Sequence, residues 1–284
     1  MTRQRGVGDR RASLDDVLRL LDARLGSPVE VKPARPGLLR VCIHGPRAGA
    51  EPDVADLRVL LVADVLTRIA ELHGLQALTV LAMAGLSSGQ SATLDRDASA
   101  LGIHPSSVRS TPEGAELALG GPADVHVAGG TIGPGGCRDG VLIDVGPATA
   151  RTGTDGRAEP TAPRVYGEQE RDPLAVRLAL MRSPYRQPAE LDLTALATAM
   201  DTLSDWRYRV AKWAESPSRP IPADLAATLS TAFEHDLDTA SALAVLHNLE
   251  AEENVPPGAK FETFVYVDRV LALDLAREIG RVRS

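Results

Sequence analysis

Apolar positions recur along this chain with two different periods, and the change from one to the other divides it. Residues 38–43, Leu-Leu-Arg-Val-Cys-Ile, are nearly all apolar, the pattern of a strand covered on both faces. Over 53–73 the period becomes helical. Leu57, Leu60, Leu61, Ala63, Val65, Leu66 and Ile69 make a broad apolar face, and Gly74 ends the run. Residues 77–83, apolar apart from Thr79 and Gly-free, predict a second buried strand. Strand, helix, strand in this order is a βαβ unit of a parallel sheet. Upstream, Ser13 precedes Leu and Val at helical spacing as far as Leu25, with Gly26 behind them, which predicts a capped N-terminal helix. A β-segment around 28–32 and a turn at Pro36-Gly37 follow it.

Between 84 and 170 the periodicity is weaker. A short helix is expected over 95–101 and strands over 123–127 and 141–145, with Gly-, Pro- and Thr-rich loops at 129–140 and 148–163. From 172 onward the pattern is helical, in segments 172–182, 189–214, 222–234, 238–253 and 258–277, most of them separated by Pro-containing breaks. The fold class expected is α/β, a Rossmann-like (HUP-type) parallel sheet followed by a C-terminal helical bundle. The expected division is an N-terminal extension helix at 1–27, the sheet domain at 28–168, and a stem with bundle at 169–284.

Composition narrows the function classes. A net charge of −7 and a pI near 5.4 argue against binding nucleic acid by bulk attraction, so DNA is not an expected partner. No apolar run reaches membrane-spanning length and no signal core follows the basic first residues, so the expectation is a cytoplasmic chain with no membrane partner. Cys42 and Cys137 do not make a disulfide framework. The only lysines are Lys32, Lys212 and Lys260, and the remaining basic residues are arginine, a skew that suggests a GC-rich bacterial genome.

The most informative stretch is 41–46, Val-Cys-Ile-His-Gly-Pro, followed after six residues by Asp53-Val54-Ala55-Asp56-Leu57-Arg58. It resembles the opening of a cysteinyl-tRNA synthetase, a strand ending in Gly-Pro, a loop, then a His-Ile-Gly-His helix start. Arg58 falls where the Ala-Arg pair of that family ends. Further blocks agree in order. Residues 172–188 resemble the family's Asp-Pro-x-Ala-Leu-Arg-Leu helix and its Tyr-Arg-x-Pro ending. Residues 233–246 and 268–275 resemble two segments of its bundle, and 95–113 more weakly resembles its linker helix. The related cysteine ligase of mycothiol synthesis shares most of these blocks. The resemblance implies a class I adenylate-forming scaffold, shortened between 115 and 170 and after 275, where an anticodon-reading module is expected to be missing.

The chemistry that the resemblance implies is altered at every signature. Both histidines of the helix start are aspartates here, Asp53 and Asp56. At a helix N-terminus a carboxylate caps orphan amides and complements the dipole, but it repels a triphosphate, so capping explains the pair better than a metal-bridged ATP role. The lysine loop of the family, Lys-Met-Ser-Lys-Ser, has no counterpart, since no lysine lies between Lys32 and Lys212. Arg151, Arg157 and Arg164 lie in the corresponding region and are expected to be solvated loop residues. The family's zinc is held by two Cys, a His and a Glu. His44 stands in place of the first of these cysteines, and the other three ligands have no counterpart. Cys42, two residues earlier on the same strand face, with His126 and Cys137, is the one alternative donor set, and the expectation is a buried strand cysteine and a hydrogen-bonded histidine instead of a metal site. Residues 124–130, Asp-Val-His-Val-Ala-Gly-Gly, faintly resemble the family's Asp-Ile-His-Gly-Gly-Gly strand end beside the adenosine pocket. His235, Asp236 and Asp238 fall where the family starts a bundle helix, at which an Asp acts as a cap.

The function expected on this reading is that of a degenerate synthetase paralogue, a pseudoenzyme that has lost cysteine adenylation and is retained as a binding or regulatory module. No catalytic residue is assigned. The vestigial nucleotide cleft comprises His44, Gly45, Pro46, Asp53, Asp56, Arg58, His126, Gly129 and Gly130. The partner is an unidentified protein or small molecule, with tRNA ranked below these, and no cofactor is expected, zinc included. The alternative is a divergent ligase that activates a carboxylate with ATP and Mg²⁺ held near Asp53 and Asp56. The acidic stretch Glu250–Glu253 adds no phosphate affinity to the tRNA reading.

Overall fold

The computed structural model describes residues 18–46, 51–83, 85–130, 139–151 and 172–281. A five-stranded parallel sheet organises the N-terminal half, with strand order β5-β4-β3-β6-β7. Its strands are β3 (Leu38–His44), β4 (Gln76–Ala82), β5 (Val108–Ser110), β6 (Val125–Ala128) and β7 (Val141–Asp144). The chain lays β4 and β5 on one side of β3, then crosses back to place β6 and β7 on the other. The β3–β6 boundary is therefore a topological switch point, where open α/β sheets leave a crevice at the strand carboxyl ends.

Alternation of side chains sorts the sheet into two faces. Val41, Ile43, Val125 and Val127 join the main core with helix α1 (Val54–Leu72). Cys42, Val80 and Ala82 point to the opposite face, where they pack with Ala115 and Leu119 of the short helix α3 (Ala115–Leu119). Helix α2 (Ser88–Ala100) begins earlier than the 95–101 segment expected from periodicity. Ser87 caps it, exchanging bonds with Gln90 in a capping box that the weakly apolar first turns conceal.

The expected N-terminal helix is not formed over its described part. Arg19–Asp22 (β1) and Ser27–Glu30 (β2) pair as an antiparallel hairpin, turning through Gly26 at φ +63°. Leu18, Leu20 and Asp22 are buried while Arg19 is exposed, so the Leu-rich run is used with period two, and it lies beside β7 through the bond from Ala23 N–H to the Leu142 carbonyl. Residues 13–17 lie outside the described residues. The 148–163 stretch also differs from the expected loop. Ala148–Ala150 (β8) pairs in parallel with Ala189–Leu191 (β9), which removes the start of the expected 189–214 helix, and residues 152–163 lie outside the described part.

The C-terminal half is helical, with α4 (Leu174–Met181), α5 (Leu193–Trp213), α6 (Ala223–Glu234), α7 (Thr239–Ala251) and α8 (Pro257–Leu271). Trp206 and Trp213 of α5 meet Phe264 of α8 edge-on, with ring centroids 5.6 and 5.1 Å apart. Helix α8 stops six residues short of the expected end. Ala272 turns left-handed at φ +50°, and the Asp268 carboxyl accepts the freed Leu273 and Leu275 amides. The two halves share a buried ionic link. Arg177 of α4, fully enclosed, bonds Asp64 of α1 at 2.7 Å and the carbonyls of Leu101 and Leu271. Burial alone would raise the Asp64 carboxyl, but Arg177 and Arg68 hold it below the usual carboxylate range.

Candidate functional site

The carboxyl ends of β3 and β6 bring three of the expected residues together. In the parallel register Cys42 lies opposite His126, and His44 is two residues beyond Cys42, so all three side chains share one face of the sheet. Cys42 and His126 are buried, and His44 is partly covered. Nε2 of His44 lies 3.1 Å from Nδ1 of His126, with ring centroids 5.3 Å apart. One donor atom from each of the three residues lies within 4.8 Å of the other two. Burial pushes the His44 imidazole below its ordinary pKa. It pushes His126 further, to about 4, with the neighbouring His44 adding to the effect and a hydrogen bond to the Asp139 backbone opposing it. Both rings are thus neutral near pH 7. Cys137 lies outside the described residues.

Two glycines let the strand ends come close. A side chain at Gly45 would meet the Met83 Cβ at 3.0 Å and the Leu81 Cδ1 at 3.1 Å, and Pro46 is buried behind it. At Gly129 a Cβ would meet the Val59 Cγ2 at 3.0 Å. Gly130 donates its amide to Asp144 Oδ1 at 3.0 Å, so the exposed Gly129–Gly130 turn is tied to the next strand.

Asp53 and Asp56 form a reciprocal capping box on α1. The Asp53 carboxylate accepts the amides of Ala55 (2.8 Å) and Asp56 (3.2 Å), and the Asp56 carboxyl accepts the Asp53 amide at 3.0 Å. Burial raises the Asp56 carboxyl to about 6; its bond to the Asp53 amide opposes the rise and the Asp53 charge adds to it. The Ala55 and Asp56 amides, of the kind that make a helix start attractive to phosphate, are occupied here by the Asp53 carboxylate.

Arg58, expected to line the vestigial cleft, is enclosed and engaged by backbone carbonyls. Its guanidinium is 1% exposed and donates to the carbonyls of Gly146 (3.0 Å), Pro147 (3.2 Å), Gln187 (2.5 Å) and Pro184 (3.1 Å). It fastens the segment after β7 to the segment after α4. Asp236 and Asp238 also have structural partners. Asp238 caps α7 through the Ser241 amide, while Asp236, at φ +64°, accepts the Tyr185 hydroxyl and the Leu21 amide and pairs with Arg186. Sequence reasoning missed Asp139, whose backbone orients the His126 ring, because it lies in a Gly-rich stretch with no periodicity.

The zinc ligand set that the resemblance implies, two Cys with a His and a Glu, is not what these residues supply. The donors gathered here are one thiol and two imidazoles, and only His44 occupies a position the resemblance assigns to a ligand. Among the described residues no helix is long and apolar enough to cross a membrane.

No protein-family profile matches the chain. A cysteine–tRNA ligase from Methylocella silvestris is 37% identical over 94 residues, 33% of this chain and 19% of that protein. An L-cysteine:1D-myo-inositol 2-amino-2-deoxy-alpha-D-glucopyranoside ligase from Beutenbergia cavernae is 35% identical over 80 residues, 28% of this chain and 18% of that protein. The matched regions thus span less than a fifth of either relative's length. Among solved structures, a putative arginyl-tRNA synthetase from Campylobacter jejuni superposes with a TM-score of 0.51 at 10% identity, covering 84% of this chain and 91% of that one. The chain thus combines a parallel Rossmann-like sheet and a helical C-terminal part, a fold similar to that solved structure, with partial sequence likeness to two cysteine ligases.

Proposed function

We propose that this chain is a cysteinyl-tRNA-synthetase-like protein that does not adenylate cysteine and serves as a binding or regulatory module. The observation that carries this reading is the capping box of Asp53 and Asp56. Where the resembled family holds ATP phosphates with two histidines, this chain fills the helix amides with carboxylates. The cysteine-dependent exchange of pyrophosphate into ATP tests it. No exchange above a no-enzyme background is the expected result, and measurable exchange that requires cysteine overturns the reading.

The likeness to two ligases supports one alternative, a divergent carboxylate-activating enzyme using ATP and Mg²⁺. Thermal stabilisation by ATP with Mg²⁺, lost in Asp53→Asn, would favour it. The leading reading expects no such shift.

A further inference from the structure

We propose that Cys42, His44 and His126 form a transition-metal site, with zinc the expected ion, built from two adjacent strands at the sheet's switch point. The inference is independent of whether adenylation is lost.

Three observations carry it. The donors are mixed in the way zinc favours, one sulfur and two imidazole nitrogens. They are also already gathered, with all three ligand atoms within 4.8 Å of one another and the two imidazole nitrogens 3.1 Å apart. Zinc–nitrogen bonds of about 2.0–2.1 Å in a tetrahedral arrangement put two nitrogens about 3.3 Å apart, and sulfur and nitrogen about 3.5 Å apart. The histidine pair is thus within a few tenths of an ångström of a ligating separation, and the thiol has at most about 1.3 Å to close to reach its own.

The third observation is the support behind the ligands. Cys42 and His126 are cross-strand neighbours in a fixed parallel register, so the backbone sets their spacing. The His126 ring is hydrogen-bonded to the Asp139 backbone as well as facing His44, the outer contact that orients a metal-bound imidazole. Val80, Ala82, Ala115, Leu119 and Ala123 pack around Cys42 and make its surroundings apolar.

A neutral His44–His126 hydrogen bond is the competing account of the 3.1 Å contact. It concerns two of the three residues and leaves the placing of a sulfur on the same face beside them to the packing of Cys42 in its apolar cluster.

The test uses the full chain, purified without a metal-affinity step, with zinc measured by mass spectrometry and cobalt(II) added to the metal-stripped protein. About one zinc per chain is expected, and cobalt should give visible ligand-field bands with a thiolate-to-cobalt charge-transfer band. Cys42→Ser should abolish the charge-transfer band, and His44→Asn and His126→Asn should each weaken cobalt binding at least ~10-fold. A wild-type chain that holds no zinc and gives no cobalt spectrum overturns the proposal. So does metal binding unchanged in all three variants. Should the variants not fold, zinc-edge X-ray absorption of the wild type decides. Sulfur and imidazole in the first shell support the site, and oxygen alone overturns it.

Discussion

Replacing Asp56 by Asn separates a capping carboxyl from a ligand-facing one. The Asp56 carboxyl is raised to about 6 from an ordinary 3.8, chiefly by burial, with the Asp53 charge adding to it. The folded state therefore holds this proton more tightly than the unfolded chain. For a raised acid, stability falls as pH rises from about 4 to about 6, and the full penalty is present above 6. A shift of about two units corresponds to at most ~3 kcal/mol, and the group's residual solvent contact reduces this to ~1–2 kcal/mol. An asparagine carbonyl can still accept the Asp53 amide, so the variant loses the titration and keeps the bond. Asp56→Asn should match the wild type near pH 4 and exceed it by ~1 kcal/mol at pH 7.5. At roughly 2–4 °C per kcal/mol for a chain of this size, melting followed by circular dichroism should show a gain of about 2–4 °C at pH 7.5. A variant less stable than the wild type at pH 7.5, or a difference independent of pH, would refute the assignment. Asp53→Ala runs the other way and should cost ~1 kcal/mol, because two helix amides lose their acceptor.

Arg58→Met should destabilise by ~3 kcal/mol or more in urea unfolding, since one guanidinium serves four carbonyls, and Arg58→Lys should recover only part of this because a lysine lacks the planar fork. Asp64→Asn leaves the enclosed Arg177 without its countercharge and should cost ~3–5 kcal/mol. Because the Asp64 carboxyl lies below its usual range, the wild type's advantage over this variant should be full above about pH 4 and shrink in more acid solution. Ala272→Gly should stabilise by ~0.5–1 kcal/mol, as the left-handed turn after α8 costs any residue with a Cβ.

Much of the sheet was legible because burial dictates it. The apolar runs around Val41 and Val80 have few other uses, and the Asp53 cap is a local signal that needs no tertiary information. The N-terminal run failed for a physical reason. Leu18, Leu20 and Leu21 satisfy both helical spacing and alternation, and only the neighbouring β7 decides between them. β8 and β9 are too short to show a period and are defined by each other across 38 intervening residues. Cys42 and His126 could be named together from the sequence as possible donors, but their pairing could not be fixed, for a similar reason. It depends on β6 returning to β3 past β4 and β5, and no residue near position 126 encodes that register.

The Arg177 link bears on how the protein can be divided. A cut within 152–171 followed by separate production of the two pieces would part the Arg177 guanidinium from Asp64 and from the Leu101 carbonyl. Neither piece is an interchangeable module. A ligand that displaced the end of α8 would disturb the Leu271 carbonyl, and through Arg177 the middle of α1 would feel it. One enclosed guanidinium thus ties the sheet's main helix and the end of α8 to the same point.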